Sequence, residues 1–281
     1  MSEFSRRDLP RPHARLSRRS LVAAAAIIAA TGPGTANTAF AFARSKHTKI
    51  KWKDGYEPGE GCHAACQEVV CFLSGTRLLT PAGEVAIEDL AIGDLLTTES
   101  GEARAIRWIG RITVDRDGDN PWHADAMPVR VAKDAFGKGR PHRDLYLSRS
   151  HMVHLNRVLM PIGDLINGRT IAAVDIEGDR LLYYHVELET HDVVIAEGAP
   201  CETLMTTAEK LAAFDNVDQY YALYGAPADM APCAALAAFN GGRSELKSRL
   251  RSAIAPVIDI RRPMDIVRDE MEARALSMEA A

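Results

Sequence analysis

The stretch "CFLSGTRLLTPAGEVAIEDLAIGD", residues 71–94, decides how the rest of the chain is read. Two apolar-rich runs, "TRLLT" and "EVAIEDL", flank "PAG" (81–83), a turn signal that joins neighbouring strands as a hairpin. Further on, "DLLTTESGEARAIRWIGRITV" (94–114) predicts two more strands around Ser100-Gly101, with alternation through Ala105, Arg107, Ile109 and Arg111. The runs "MPVRV", "DLYLS", "MVHL", "VLMPI", "RTIAAV", "LLYYHVEL" and "DVVIAEG" follow, separated by Gly, Pro, Asn or Asp. Many short strands without regular intervening helices predict a mainly β, hairpin-built domain over 71–204.

After about residue 204 the apolar period becomes helical. Thr206 and Glu209 fit a capping box before "KLAAF". The run "PADMAPCAALAAFNGG" (227–242) reads as helical, with Gly241 and Gly242 as its stop. Leu246, Leu250 and Ile254 then recur at the four-residue spacing of a helix face. Residues 205–281 are thus expected to form a small α-helical C-terminal region.

The opposite end has a different character. Residues 1–43 carry Arg6, Arg7, Arg11, Arg15, Arg18 and Arg19, then "LVAAAAIIAA" (21–30), then small residues up to "ANTAFAFA", in the order of an export signal. The apolar run is about half the length a bilayer crossing requires, so no stable membrane span is expected. "SRRSLV" (17–22) resembles a twin-arginine (Tat) signal, which implies a periplasmic or secreted mature protein. Six of the 34 basic and two of the 38 acidic residues lie in 1–43, so removing the segment moves the net charge from −4 to −8. That field excludes nucleic acid as an expected partner. Residues 44–70 show no sustained period and read as a flexible leader with a helical turn around 62–69.

Five cysteines, Cys62, Cys66, Cys71, Cys201 and Cys233, stay in the mature chain, an odd number in an oxidising compartment. One of them is therefore available for chemistry. Cys71 opens the β domain, so its sulfur can reach the Val70 carbonyl carbon through a five-membered ring without any search through space. Three obstacles remain. The thiol must lose its proton, the Cys71 nitrogen must gain one as it leaves, and an uphill N-to-S shift needs a bond strained by its surroundings.

The residues that answer these needs carry a resemblance. The opening stretch, "DLYLSRSHMVHL" with its Ser148-x-x-His151, "LMPIGDLINGRTI" and "YYHVELETHDVVIAEGAPCET" resemble the successive blocks of hedgehog/intein (Hint) self-processing domains, above all the stand-alone alphaproteobacterial type. The resemblance implies a horseshoe of hairpins over 71–204 in which Cys71 is the acyl acceptor. His151 would protonate the departing nitrogen. Ser148, in place of the usual threonine, would orient His151 or the scissile carbonyl, and His191 would stand in the closing strands beside them. His185 is expected on the sheet surface and Cys201 in the packing, although Cys201 could also approach Cys71 as an acceptor or disulfide partner.

The pattern departs from inteins at one place. Glu202 and Thr203 stand where His-Asn would fall, so no asparagine is present to cyclise, and cleavage rather than full splicing is expected. The substrate would be the chain's own N-terminal segment, with water, a thiol or an amine as acyl acceptor, and no cofactor or metal is called for. The spacing of Cys62, His63 and Cys66 lacks the paired pattern of a zinc site. The competing expectation is a Hint fold that has lost the reaction and serves as a binding module through its helical tail.

Overall fold

The computed structural model describes residues 70–280, apart from 117, 119–121, 123, 228–229 and 240–241. The expectations for the export signal, the leader, Cys62 and Cys66 lie outside the described residues.

The hairpin predicted from "PAG" is present. Strand β1 (Phe72–Leu73) leads into β2 (Arg77–Thr80) and β3 (Gly83–Ala86), which pair antiparallel from Thr80↔Gly83 to Arg77↔Ala86. Gly83 has φ +118°, a conformation that glycine adopts without a Cβ penalty. Next come β4 (Leu95–Thr97), β5 (Ala103–Ala105) and the long β6 (Trp108–Asp115), whose inward residues Trp108, Ile112 and Val114 alternate with outward ones. They are followed by β7 (Val129–Val131), β8 (Leu145–Leu147), β9 (Met152–Leu155), β10 (Val158–Pro161) and β11 (Ile171–Ala173). Strand β12 (Arg180–Glu187) and the hairpin of β13 (Val193–Ala196) and β14 (Ala199–Glu202) complete the β region.

The strands form a six-stranded sheet ordered β11-β7-β8-β1-β12-β6, a second sheet containing β10-β9-β14-β13-β2-β3, and the small β4-β5 pair. Two-residue β1 sits in the middle of the first sheet. Phe72 pairs with Leu147 of β8 on one side and with Tyr184 of β12 on the other. The first residues of the domain are therefore held on both flanks by strands distant in sequence.

Two apolar clusters fill the interior. The larger one gathers Phe72, Leu78, Leu96, Leu147, Val153, Val186, Val194 and Cys201 between the sheets. The smaller one joins Cys71, Trp108, Ile112, Tyr183 and Leu204 to Leu211, Phe214 and Tyr220 of the helical region. Helices α1 (Ala208–Leu211) and α2 (Val217–Tyr224) lie over β6, where the Trp108 ring meets Phe214 and Tyr220 edge to face at 5.2 and 5.1 Å. Gly110 makes this approach possible, because a Cβ there would stand 2.4 Å from the Phe214 ring. The outer edge of β6 is also satisfied. The Asp215 and Asn216 carboxyl and amide oxygens accept from Thr113 N and Arg111 N, and Asn216 Nδ2 donates to Ile109 O.

Two details of the helical region differ from the sequence expectation. The cap of α1 is Thr207, which accepts from Lys210 N, whereas the Thr206 hydroxyl turns inward and donates to Glu187 Oε2 at 2.7 Å. A buried carboxylate outcompetes a solvated cap for that hydroxyl. The run expected to be a helix ending at Gly241-Gly242 instead contains β15 (Ala235–Leu236), parallel to β10, and helix begins at Gly242. The exposed edge of β10 offers backbone partners that its alanines take up. Helices α3 (Gly242–Ile254) and α4 (Pro263–Glu279) close the chain.

Candidate active site

Cys71 lies at the meeting point of β1 and β8. Its N–H donates to Ser148 Oγ at 2.7 Å, and its carbonyl accepts from Ser148 N at 2.9 Å. Ser148 follows β8 directly and is fully paired with the Cys71 backbone. Its hydroxyl therefore contacts the nitrogen of the Val70–Cys71 bond, not the carbonyl. The bond itself is not a cis peptide, and Cys71 lies outside the left-handed region, so the expected strain takes neither of those forms. The Cys71 side chain has no exposure, and burial pushes its thiol well above the ordinary cysteine range.

A tight turn places the first imidazole. His151 N donates to Ser148 O at 3.1 Å, and Ile162 N donates to His151 O, which fixes the residue just ahead of β9. The His151 ring packs against Phe72 at 4.3 Å and is completely buried. Neither of its nitrogens has a full hydrogen bond to any described residue, and the Cys71 backbone is a polar neighbour. Burial lowers its pKa to about 4, against the smaller opposing pull of Glu202, so the ring is neutral at neutral pH.

His185 corrects the sequence reading, which set it on the sheet surface. It is fully buried, with its ring 4.9 Å from His151 and 5.8 Å from Phe72. Phe72 pairs with Tyr184 and Leu73 with Tyr183, so one further step of that register sets Cys71 across from His185. Both His185 nitrogens lack hydrogen-bond partners among the described residues, and burial followed by the neighbouring His151 holds its pKa well below the usual value. The signal was present in the sequence. Leu181 and Tyr183 face inward, and a period of two carries His185 to the same side.

His191 belongs to a separate polar group. Its Nδ1 accepts from Cys233 N at 3.0 Å, and its Nε2 meets Glu202 Oε2 at 3.3 Å. Burial opposes its protonation, while the Cys233 side chain and the Glu202 carboxylate together raise its pKa to about 9. The amide bond to Nδ1 and a doubly protonated ring exclude one another. The ring gains its second proton only by giving up the Cys233 N–H. Glu202, which sequence reasoning noted only as a departure, is buried and also accepts from Met152 N at 3.0 Å, next to His151. It links the closing strand to the turn that carries the first imidazole.

Cys201 packs in the larger cluster and Cys71 in the smaller one; both are free thiols, as is the exposed Cys233. Among the described residues, one group has metal-ligating types gathered closely: Glu84, His142 and Glu197. His142 Nε2 lies 2.5 Å from Glu84 Oε1 within the group, and Arg143 Nε, from outside it, lies 2.8 Å from Glu197 Oε2.

A family model described as Hint domain matches residues 70–208. Solved structures similar to this chain include an intein-like domain from Clostridium thermocellum, with 14% identity over 48% of this chain and 98% of that one and a TM-score of 0.35. The MchDnaB-1 intein shares 16% identity over 46% and 98%, with a TM-score of 0.33, and a DnaB intein from Synechocystis sp. shares 8% over 48% and 98%, with a TM-score of 0.32. No curated protein matches the sequence. The Hint domain family model thus matches the β region that begins at Cys71, over just under half of the chain.

Proposed function

We propose that the chain is an exported, self-processing Hint protein that cleaves its own backbone before Cys71. The observation that carries this reading is the pairing of Cys71 N–H with Ser148 Oγ beside two buried imidazoles, His151 with the Cys71 backbone as its polar neighbour and His185 with no hydrogen-bond partner among the described residues. Unpaired buried polar atoms cost about 1–3 kcal/mol each, and perturbed titrating groups cluster where chemistry is done.

The step balances in one proton. The Cys71 Sγ–H gives its proton to the imidazole pair, His185 standing across from the thiol, and sulfur adds to the Val70 carbonyl carbon. The tetrahedral adduct collapses as the same proton passes through His151 to the Cys71 nitrogen. The C–N bond breaks, leaving a thioester on Cys71 and a free amine held by Ser148. Neutral imidazoles suit this relay, because each must accept before it donates. A water, thiol or amine then displaces Sγ, which recovers its proton, and residues 44–70 leave as an acid or an adduct. Full splicing is not proposed, since Glu202 and Thr203 offer no side-chain amide for cyclisation at the closing strand.

Intact mass of the purified chain, with and without dithiothreitol or hydroxylamine, tests the reading. A break before Cys71, accelerated by either reagent and absent in Cys71→Ala, is the expected result. An uncleaved chain indifferent to both reagents would overturn it. Complete burial of the Cys71 thiol favours the second reading, a Hint fold retained as a binding module without its reaction. That reading predicts unchanged mass in every variant, including His151→Ala.

A further inference from the structure

The C-terminal helix pair is built with its polar side inward. Along α3, Ser248 and Ser252 face α4 together with Arg251; Asp265 at the start of α4 binds Ser248 and Arg251, and Arg268 reaches both serines. Asp265 accepts from Arg251 Nε at 2.6 Å and from the Ser248 hydroxyl, while Arg268 donates to Ser248 and Ser252 at 2.5 and 2.9 Å. Leu246, Leu250 and Ile254, the stripe at four-residue spacing, point the opposite way and are exposed. The segment after α3 continues the patch, so Leu246, Leu250, Ile254, Val257, Ile258 and Ile260 are all between 47% and 86% exposed. A helix that buries serines and an ion pair while presenting leucines to water has an apolar face meant for something outside the chain.

The charges around that face say what fits. Arg249 is ion-paired with Glu245 and Glu272, Arg251 with Asp265, and Arg261 with Asp259 and Asp269, whereas Arg243, Lys247 and Arg262 beside the patch have no ion pair among the described residues and leave it locally basic. Two copies meeting through this face would bring like charges together, which disfavours a second copy as occupant. A basic, leucine- and isoleucine-bearing amphipathic helix suits an anionic lipid surface, where apolar side chains enter the acyl boundary and cations reach the headgroups. None of the described helices is long and apolar enough to cross a membrane, so the contact lies in the interface plane. We propose that α3 and the segment through Arg262 dock the protein on an anionic membrane surface, independently of the chemistry at Cys71.

Co-sedimentation of the full chain with phosphatidylcholine vesicles, with or without phosphatidylglycerol, tests this, using Leu246→Glu/Leu250→Glu as the variant. Both leucines are exposed, so the variant is expected to keep the parent circular dichroism spectrum. The expected result is binding to the phosphatidylglycerol vesicles, weakened by salt and at least about tenfold weaker in the double variant. Failure to bind these vesicles, or binding that the variant retains in full, would overturn the proposal, since retained binding would belong to another segment. A dimer in light scattering that the variant dissociates, without vesicle binding, would assign the face to a second copy.

Discussion

At the scale of single residues, the site turns on where protons are held. The Ser148 hydroxyl accepts the Cys71 N–H, so Ser148→Ala removes the group that holds the leaving nitrogen, and Ser148→Thr keeps it. Cleavage is expected to slow roughly 10- to 100-fold in the alanine variant and to return in the threonine variant, read as the rate of mass loss under dithiothreitol. His151 gives a second expectation. Its folded pKa of about 4 lies below its ordinary 6.5, so the unfolded chain binds the proton more readily. Stability therefore rises with pH across that window and falls as pH drops from 6.5 through 4, by on the order of 3 kcal/mol in all. Urea unfolding at pH 7 and pH 5 should show the loss, and His151→Gln should flatten it; equal dependence in both proteins would refute the assignment. Cys71 was expected from its place at the head of the β domain, and Ser148 and His151 from the resemblance to Hint domains; the structure brings the three together. The inward period of Leu181 and Tyr183 extends to His185, so its burial was legible in the strand's alternation although the sequence reading set it outside. Glu202, by contrast, was visible only as a missing asparagine, since its two partners, Met152 N and His191, come from other strands.

Among the elements, the hairpins were the most legible part, because alternation and turn residues act over a few positions. Each run quoted between "TRLLT" and "DVVIAEG" contains an observed strand. The helical region was less legible, because its local preferences yield to distant partners. Thr206 leaves the cap for Glu187, and the segment at Ala235–Leu236 pairs with β10 where helix was expected. The contact between β6 and the helices has a sharp test. Gly110→Ala places a Cβ 2.4 Å from the Phe214 ring, and overpacking of this kind costs about 1–3 kcal/mol. A lowered melting temperature is expected, with partial recovery when Phe214→Leu is added; a variant as stable as the parent would show that the ring moves aside freely.

For the molecule as a whole, a domain boundary read from the change of period near 204 divides what the packing joins. The smaller core draws Cys71, Trp108 and Tyr183 from the sheet and Leu211, Phe214 and Tyr220 from beyond that point. The Hint family match itself runs to residue 208. Buried Glu187 ties the two parts further, with Thr206 Oγ1 at 2.7 Å, Tyr220 OH at 3.3 Å and Arg107 at 2.8 Å. A chain ended at 204 would remove two of these partners, Thr206 and Tyr220, and leave a buried carboxylate with Arg107 alone at its rim. Its solubility and helix-free core, compared with those of a chain ended at 226, are expected to be markedly poorer.

The side chains of Asp215 and Asn216 make that comparison more than a matter of stability. They are the plugs on amides along the outer edge of β6, one of the two edge strands of the six-stranded sheet and the longer, more regular one to offer another chain. Cutting them away would turn a sealed rim into a template, so the short protein should grow into ordered aggregates by adding strand to strand, with the helical tail acting in the intact chain as its guard.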